Sequence, residues 1–233
     1  MNRKRLIVGS LVLGLIVAAT SFAQAAQIFP LDSVPFGRTY GEWSAAWWQW
    51  ALSIPVANHP LFDNGDCSVG QSGPVWFLGG KFCNTDNPQC DSSSARRACT
   101  VPADKALFFP IVNIESSTLE SPKQTIVELR TFDEFIINFG TDIAATVDGA
   151  PIPNLKKKFR EQSTVFSFTL PQDNLLNAIG EGPFDAGAYF PAVDEGFYLM
   201  LAPLPAGPHV IHFHAVFPAF DFTLDITYNL TVQ

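Results

Sequence analysis

Phe220–Gln233, FDFTLDITYNLTVQ, alternates without a break. Phe220, Phe222, Leu224, Ile226, Tyr228, Leu230 and Val232 fall on one face, and Asp221, Thr223, Asp225, Thr227, Asn229, Thr231 and Gln233 fall on the other. A two-residue period places one face in a core and the other in water, which is the pattern of a half-buried antiparallel strand. The run just before it behaves alike: Ile211, Phe213, Ala215 and Phe217 alternate with His212, His214 and Val216. With Pro218-Ala219 as the tip, the two runs form an expected hairpin. Its register sets His212 opposite Asp225 and His214 opposite Thr223. His212, His214 and Asp225 are thereby a candidate ligand-binding set on the polar face. A hydrogen-bonded pair that pins the register is the preferred reading, and a site for a divalent metal is its rival.

Working outward, composition agrees with a β fold. Of 233 residues 15% are charged and 13% aromatic, and 18 are proline. That balance favours many short strands with punctuated turns over a helical bundle. Arg3-Lys4-Arg5, the apolar run Leu6–Ala19 and Ala23-Gln24-Ala25 have the layout of a secretory signal peptide over residues 1–25. The expected mature chain, 26–233, is one β-sandwich domain with no later transmembrane segment. Cleavage leaves 11 basic against 22 acidic residues, a net charge of −11. Nucleic acid is excluded as a partner on that balance, since phosphate binding needs clustered Lys and Arg. The cluster Lys156-Lys157-Lys158 with Arg160 reads as a solvated face.

Tryptophan is concentrated in TYGEWSAAWWQWALSIP, Thr39–Pro55. Thr39 and Glu42 form a capping box, so a helix is expected from Tyr40 until Pro55 stops it. Tyr40, Trp43, Trp47, Trp50 and Ile54 share one stripe, which packs as core. Trp48 lies off the stripe. It is the expected exposed ring and a candidate ligand-binding residue.

Four cysteines, Cys67, Cys83, Cys90 and Cys99, lie within one excursion at about residues 63–104. An even count in an exported chain reads as disulfides, for which three connectivities exist. Asn84–Pro88 is a turn-rich tip that can bring its flanks together, so Cys83 is expected to pair with Cys90, nested inside Cys67 with Cys99. A zinc site is disfavoured because no C-x-x-C pair exists. Ser72, in CSVGQSGP, resembles a protease nucleophile loop only superficially. It lacks a glycine of that loop and a base in the right context.

Glu42-Trp43-Ser44 with Trp47-Trp48-Gln49-Trp50, the segment Gly73–Leu78 (GPVWFL), and Cys99–Ala103 (CTVPA) through Phe108-Phe109-Pro110 together resemble a group of uncharacterised exported bacterial proteins. The resemblance implies export and a shared architecture over most of the mature chain. It brings no activity, ligand or catalytic residue.

Between these landmarks, strands are expected at Val75–Leu78, Ala106–Val112, Ala144–Val147, Phe166–Leu170 and Gly196–Leu201, with a tight hairpin at Asp148-Gly149. A second helix is expected to open at a capping box, Thr131/Glu134, to carry Phe135, Ile136 and Phe139, and to end at Gly140 in left-handed conformation. The fold class is therefore mainly β: an antiparallel sandwich, Ig-like or jelly-roll-like, with a Trp-rich helix and a short second one.

No nucleophile, base and orienting group stand together in sequence, so the leading functional reading is an exported, non-enzymatic module of the envelope or extracellular space. Its partner would be a small ligand, a glycan or another envelope protein. A structural envelope protein is one alternative. A metal-dependent or carboxylate-based hydrolase is the other, with Asp63, Asp66, Glu115, Asp194 and Glu195 as candidate acids. No cofactor other than a possible divalent metal is implied.

Overall fold

The computed structural model describes residues 26–233, so the expected signal peptide lies outside the described residues. Ten strands follow in chain order: β1 (Val75–Phe77), β2 (Ser94–Val101), β3 (Ala106–Ser117), β4 (Thr141–Val147), β5 (Ala150–Pro151), β6 (Arg160–Gln162), β7 (Phe166–Leu170), β8 (Gly187–Leu201), β9 (Gly207–Phe217) and β10 (Phe222–Val232). Four α-helices join them: α1 (Tyr40–Ser53), α2 (Ile126–Asn138), α3 (Leu155–Lys158) and α4 (Leu175–Ala178). One sheet has the order β1-β3-β8-β6, with β7 also on β8, and the other has β2-β10-β9-β4-β5. Both are mixed: β1 runs parallel to β3 and β2 parallel to β10, while every other pair is antiparallel. The fold is a mainly β, sandwich-like pair of sheets, as the alternation indicates.

Two apolar clusters hold the layers together. Between the sheets, Leu107, Phe109 and Ile111 of β3 and Phe197 and Leu199 of β8 meet Ile211 and Phe213 of β9 and Ile226 and Tyr228 of β10. On the opposite side of the first sheet, α1 and α4 cover Val75, Phe108, Phe168, Tyr198 and Met200.

The α1 capping box forms as expected, Thr39 Oγ1 accepting from the Glu42 N–H and Glu42 Oε2 from the Thr39 N–H. Its four tryptophans are each at most 6% exposed, and all four indole N–H groups are satisfied. Trp43 donates to the Pro35 carbonyl, Trp47 to that of Leu78, Trp50 to that of Val69, and Trp48 to Asp194 Oδ2. The expected exposure of Trp48 is therefore overturned. A second surface of α1 faces the sheet, and Trp48 supplies its polar anchor. Rings of this size bury 150–250 Å² each in general, so α1 is core.

The second helix starts six residues earlier than expected. Thr125 and Glu128 form its capping box, and Thr131 sits inside the helix with its hydroxyl donating to the Val127 carbonyl. The buried positions are Leu129, Asp133 and Ile137, whereas Phe132, Phe135 and Phe139 are exposed. Gly140 does not adopt a left-handed conformation. It is small because an added Cβ would come within 2.9 Å of Ile143 and Phe217. Asp148 and Gly149, with φ of 51° and 77°, make the expected two-residue turn between β4 and β5.

Both expected disulfides are present, Cys67–Cys99 and Cys83–Cys90. The C-terminal hairpin forms, but a 3-10 turn over Pro218–Phe220 and left-handed Asp221 lengthen its tip. Phe217 accordingly pairs with Phe222, His214 with Asp225 and His212 with Thr227. The register moves by two residues, which preserves both faces and changes every partner.

Candidate functional site

The site begins with an irregularity in β3. Pro110 pairs with Tyr198 while Val112 pairs with Phe197, so one extra residue sits in β3 at Ile111. Ile111 and Val112 consequently both enter the core between the sheets. Proline lacks the N–H that a ladder needs and is tolerated at such bulges. Beyond the bulge the facing of the strand is inverted. Asn113, Glu115 and Ser117 now share the α1 side of the sheet with Asp194 and Tyr198, and Glu115 lies opposite Asp194. A strand that kept strict alternation would have sent Glu115 into the apolar core with Phe109 and Ile111.

A cleft of about 410 Å³ opens here. Its lining includes Glu115, Asn113 and Trp48, the aliphatic side chains of Leu175, Leu176 and Ile179, and the rings of Phe82 and Phe132. Glu120 and Glu181 also line it. Since β1 covers β3 only at Ala106–Phe108, no described strand pairs with Asn113–Ser117 on the side away from β8, and the cleft occupies that edge.

The electrostatics are one-sided. Glu115 Oε1 and Asn113 Nδ2 are buried without hydrogen-bond partners. Burial, then the nearby Glu120, Asp133 and Asp194 carboxylates, raise the Glu115 pKa well above the carboxylate range. Behind it, fully buried Asp194 accepts from Trp48 Nε1 at 2.6 Å and from the Tyr198 hydroxyl through Oδ2, while Oδ1 has no partner. Burial pushes Asp194 up to about 7 against the lowering effect of those donors. Asp133, buried on α2, accepts from Ser116 Oγ at 2.5 Å and is pushed up to about 8, chiefly by burial. Glu120 is raised by burial even though the Ser117 N–H and hydroxyl donate to it at 3.0 and 2.8 Å. Such strongly desolvated, mutually repelling acids in a cleft are characteristic of functional sites.

Of the acids singled out in the sequence, the fold brings Glu115 and Asp194 together at this cleft. Glu195 is adjacent in sequence, but its carboxylate forms an ion pair with Arg160 at 2.5 Å and accepts from Gln162 Nε2 at 2.9 Å. Arg160 is thus a structural cation and no part of a solvated face, whereas Lys156, Lys157 and Lys158 are exposed as expected. Asp63 lies elsewhere, bound to buried Arg97 at 2.6 Å, and Asp66 caps a turn at the Ser68 N–H. Trp48 belongs to the cleft as a buried wall.

The histidine set is on the outer face of the second sheet, across the inter-sheet core. His212 Nε2 is 3.2 Å from Asp225 Oδ1, a diagonal contact where a direct one was expected. His214, directly opposite Asp225, is instead 3.2 Å from Asp142 Oδ1. Each ring therefore has its own carboxylate. Among the described residues no group of three or more His, Cys, Asp or Glu side chains is placed to hold a metal ion.

A larger cavity, about 720 Å³, lies between Ile28–Ser33 and the segment around Phe159, but none of its lining residues has an unpartnered buried side-chain polar atom. Asn113, Glu120, Asp133 and Tyr198 were missed as site residues. The available signal was Pro110, an interior proline in an apolar strand that indicates a bulge. Family models, curated proteins and solved structures were compared with this chain and none matches.

Proposed function

We propose that this chain is an exported, disulfide-stabilised module of the bacterial envelope or extracellular space that binds a small molecule in the Glu115 cleft and does no chemistry on it. The observation that carries the reading is the pair of buried, unpartnered polar atoms, Glu115 Oε1 and Asn113 Nδ2, in a cleft of about 410 Å³. Buried polar groups are almost always satisfied in folded proteins, and volumes of this size suit small ligands. A ligand supplies the missing partners. Two disulfides, and the lack of any described helix long and apolar enough to cross a membrane, support export of a water-soluble chain. Membership of the exported bacterial group resembled in the sequence belongs to the same proposal.

A glycan platform is less well supported, because the α1 tryptophans are buried. The carboxylate-hydrolase reading gains the raised Asp194 but has no histidine among the residues lining the cleft. The test is a ligand screen by NMR on the oxidised protein, using a fragment set that spans neutral, anionic and cationic molecules. Binders should shift the Trp48 indole resonance, and Ile179→Trp, which fills the cleft, should abolish the shift. Fragments that bind equally well to Ile179→Trp would overturn the assignment of the cleft. Retention of the protein in the cytoplasm, with reduced thiols, would overturn export.

A further inference from the structure

We infer that the ligand of this cleft is a protonated amine carried on an apolar body, with a hydroxyl or carbonyl beside the amine. The inference rests on the binding reading above and adds the chemical class. Three glutamates, Glu115, Glu120 and Glu181, line the cleft, and no Lys, Arg or His does. The neighbouring cations are already engaged: Arg160 with Glu195, and Arg130 with the Ser163 carbonyl at 2.7 Å. An acidic cluster alone would say little, but Glu115 Oε1 is buried in the cleft without a partner. A lone carboxylate oxygen in such a place is costly until a donor, best a charged one, reaches it. An ammonium supplies that donor and offsets the repulsion that an ionised Glu115 meets from Glu120, Asp133 and Asp194.

The rest of the lining selects against a bare ion. Calcium takes six to eight oxygen ligands and magnesium a near-ideal octahedron. Here three acids do not converge on one point among the described residues, and Leu175, Leu176, Ile179, Phe82 and Phe132 present hydrocarbon. Those walls suit an alkyl or aryl body. Asn113, whose amide end is unpartnered beside Glu115, suits a hydroxyl or carbonyl next to the amine.

The probe is 2-amino-1-phenylethanol, with 1-phenylethane-1,2-diol as its neutral counterpart of equal size and calcium chloride as the metal control. Titration calorimetry at pH 7 is run in phosphate and in Tris, whose ionisation heats differ, so that proton release is measured with affinity. The amine should bind at least tenfold more tightly than the diol and should release protons as Glu115 ionises against it. Glu115→Gln, which mimics the neutral acid, should lose at least tenfold in amine affinity and lose the proton release, with a much smaller change in diol affinity. Glu181→Gln, at the exposed rim, should lose about two- to threefold. Diol binding as tight as the amine, amine binding indifferent to Glu115→Gln, or calcium displacing the amine would overturn the amine inference and leave a cleft that binds something else. Failure of every probe, together with fragments that ignore Ile179→Trp, would remove the cleft reading itself.

Discussion

Asp133→Asn isolates the energetic cost of the buried acids. The Asp133 side chain is fully buried, with Oδ1 accepting from Ser116 Oγ and Oδ2 unpartnered. Burial, and then the Asp194, Glu195 and Glu120 carboxylates, move its pKa from the ordinary aspartate value of 3.8 to about 8. Folding therefore takes up a proton between those two values, and stability falls as pH rises through that window. Below the lower value the acid is neutral in both states and nothing is lost. At the upper value the full cost applies, with a ceiling on the order of 5 kcal/mol at ~1.4 kcal/mol per pH unit. Relaxation around the site reduces this, so about 2–3 kcal/mol is expected. Asparagine has the shape of the neutral acid and no proton to lose. Urea denaturation of both proteins should thus show a difference near zero at about pH 4 and a variant more stable by about 2–3 kcal/mol at about pH 8.5. The difference is the proper readout, because His59 acts in the opposite direction in both proteins. Its burial lowers its pKa to about 4, so stability is lost as pH falls from the unfolded value of 6.5. A gain of equal size at both pH values, or a less stable variant at the higher one, would refute the argument.

Trp47→Ala and Trp48→Ala should each destabilise by about 3–5 kcal/mol, the usual cost for large buried aromatics; a small loss at Trp48 alone, by urea denaturation, would contradict its burial. Trp48→Phe keeps most of the ring but removes the donor to Asp194, and should cost about 1–3 kcal/mol. Thr125→Ala should cost about 1 kcal/mol through its lost cap, and Thr131→Ala much less; the reverse order would place the start of α2 where the sequence first suggested. Removing Cys67–Cys99, which spans 32 residues, should cost about 4 kcal/mol and removing Cys83–Cys90, which spans 7, about 2, as chain entropy requires; thermal unfolding of the two double-serine variants ranks them.

Where one physical rule acts alone, the sequence is legible. Alternation in Ile211–Phe217 and Phe220–Val232 identifies two half-buried strands and their faces, because a side chain's facing depends only on its parity. Their register depends on the turn, and there Pro218-Ala219 misled: Phe220 joins the 3-10 turn and Asp221 takes a left-handed conformation at φ 50°. Moving the register by two keeps parity, which is why the faces survived and the His212–Asp225 geometry did not. The α2 boundary failed for a related reason. Thr125/Glu128 and Thr131/Glu134 have the same capping spacing, and local chemistry cannot choose between them. Burial chooses, because the earlier start lets Leu129, Asp133 and Ile137 face the sheets.

The candidate site was harder to see, since it depends on a departure from alternation. Glu115 and Asp194 are 79 positions apart and looked like isolated acids. What unites them is the single extra residue at Ile111, which inverts the facing of everything after it in β3. Had alternation held, the carboxylate of Glu115 would lie against Phe109 and Ile111 in the apolar core, where an ionisable group is strongly disfavoured. The bulge thus spares the core and at the same time delivers Glu115 and Asn113 to the uncovered edge of β3, under Trp48. Trp48 is not a surface ring for a separate reason: its indole N–H donates to Asp194 of β8, the residue opposite Glu115. Inserting one alanine between Val112 and Asn113 should therefore rotate Asn113–Ser117 by one position, turn Glu115 between the sheets and empty the cleft of its acid, whereas deleting Ile111 should leave Glu115 on the α1 side, since Val112 then follows Pro110 in strict alternation opposite Phe197. An insertion variant that still binds the same fragments, with an unshifted Trp48 resonance, would show that the facing of β3 beyond the bulge does not build the site.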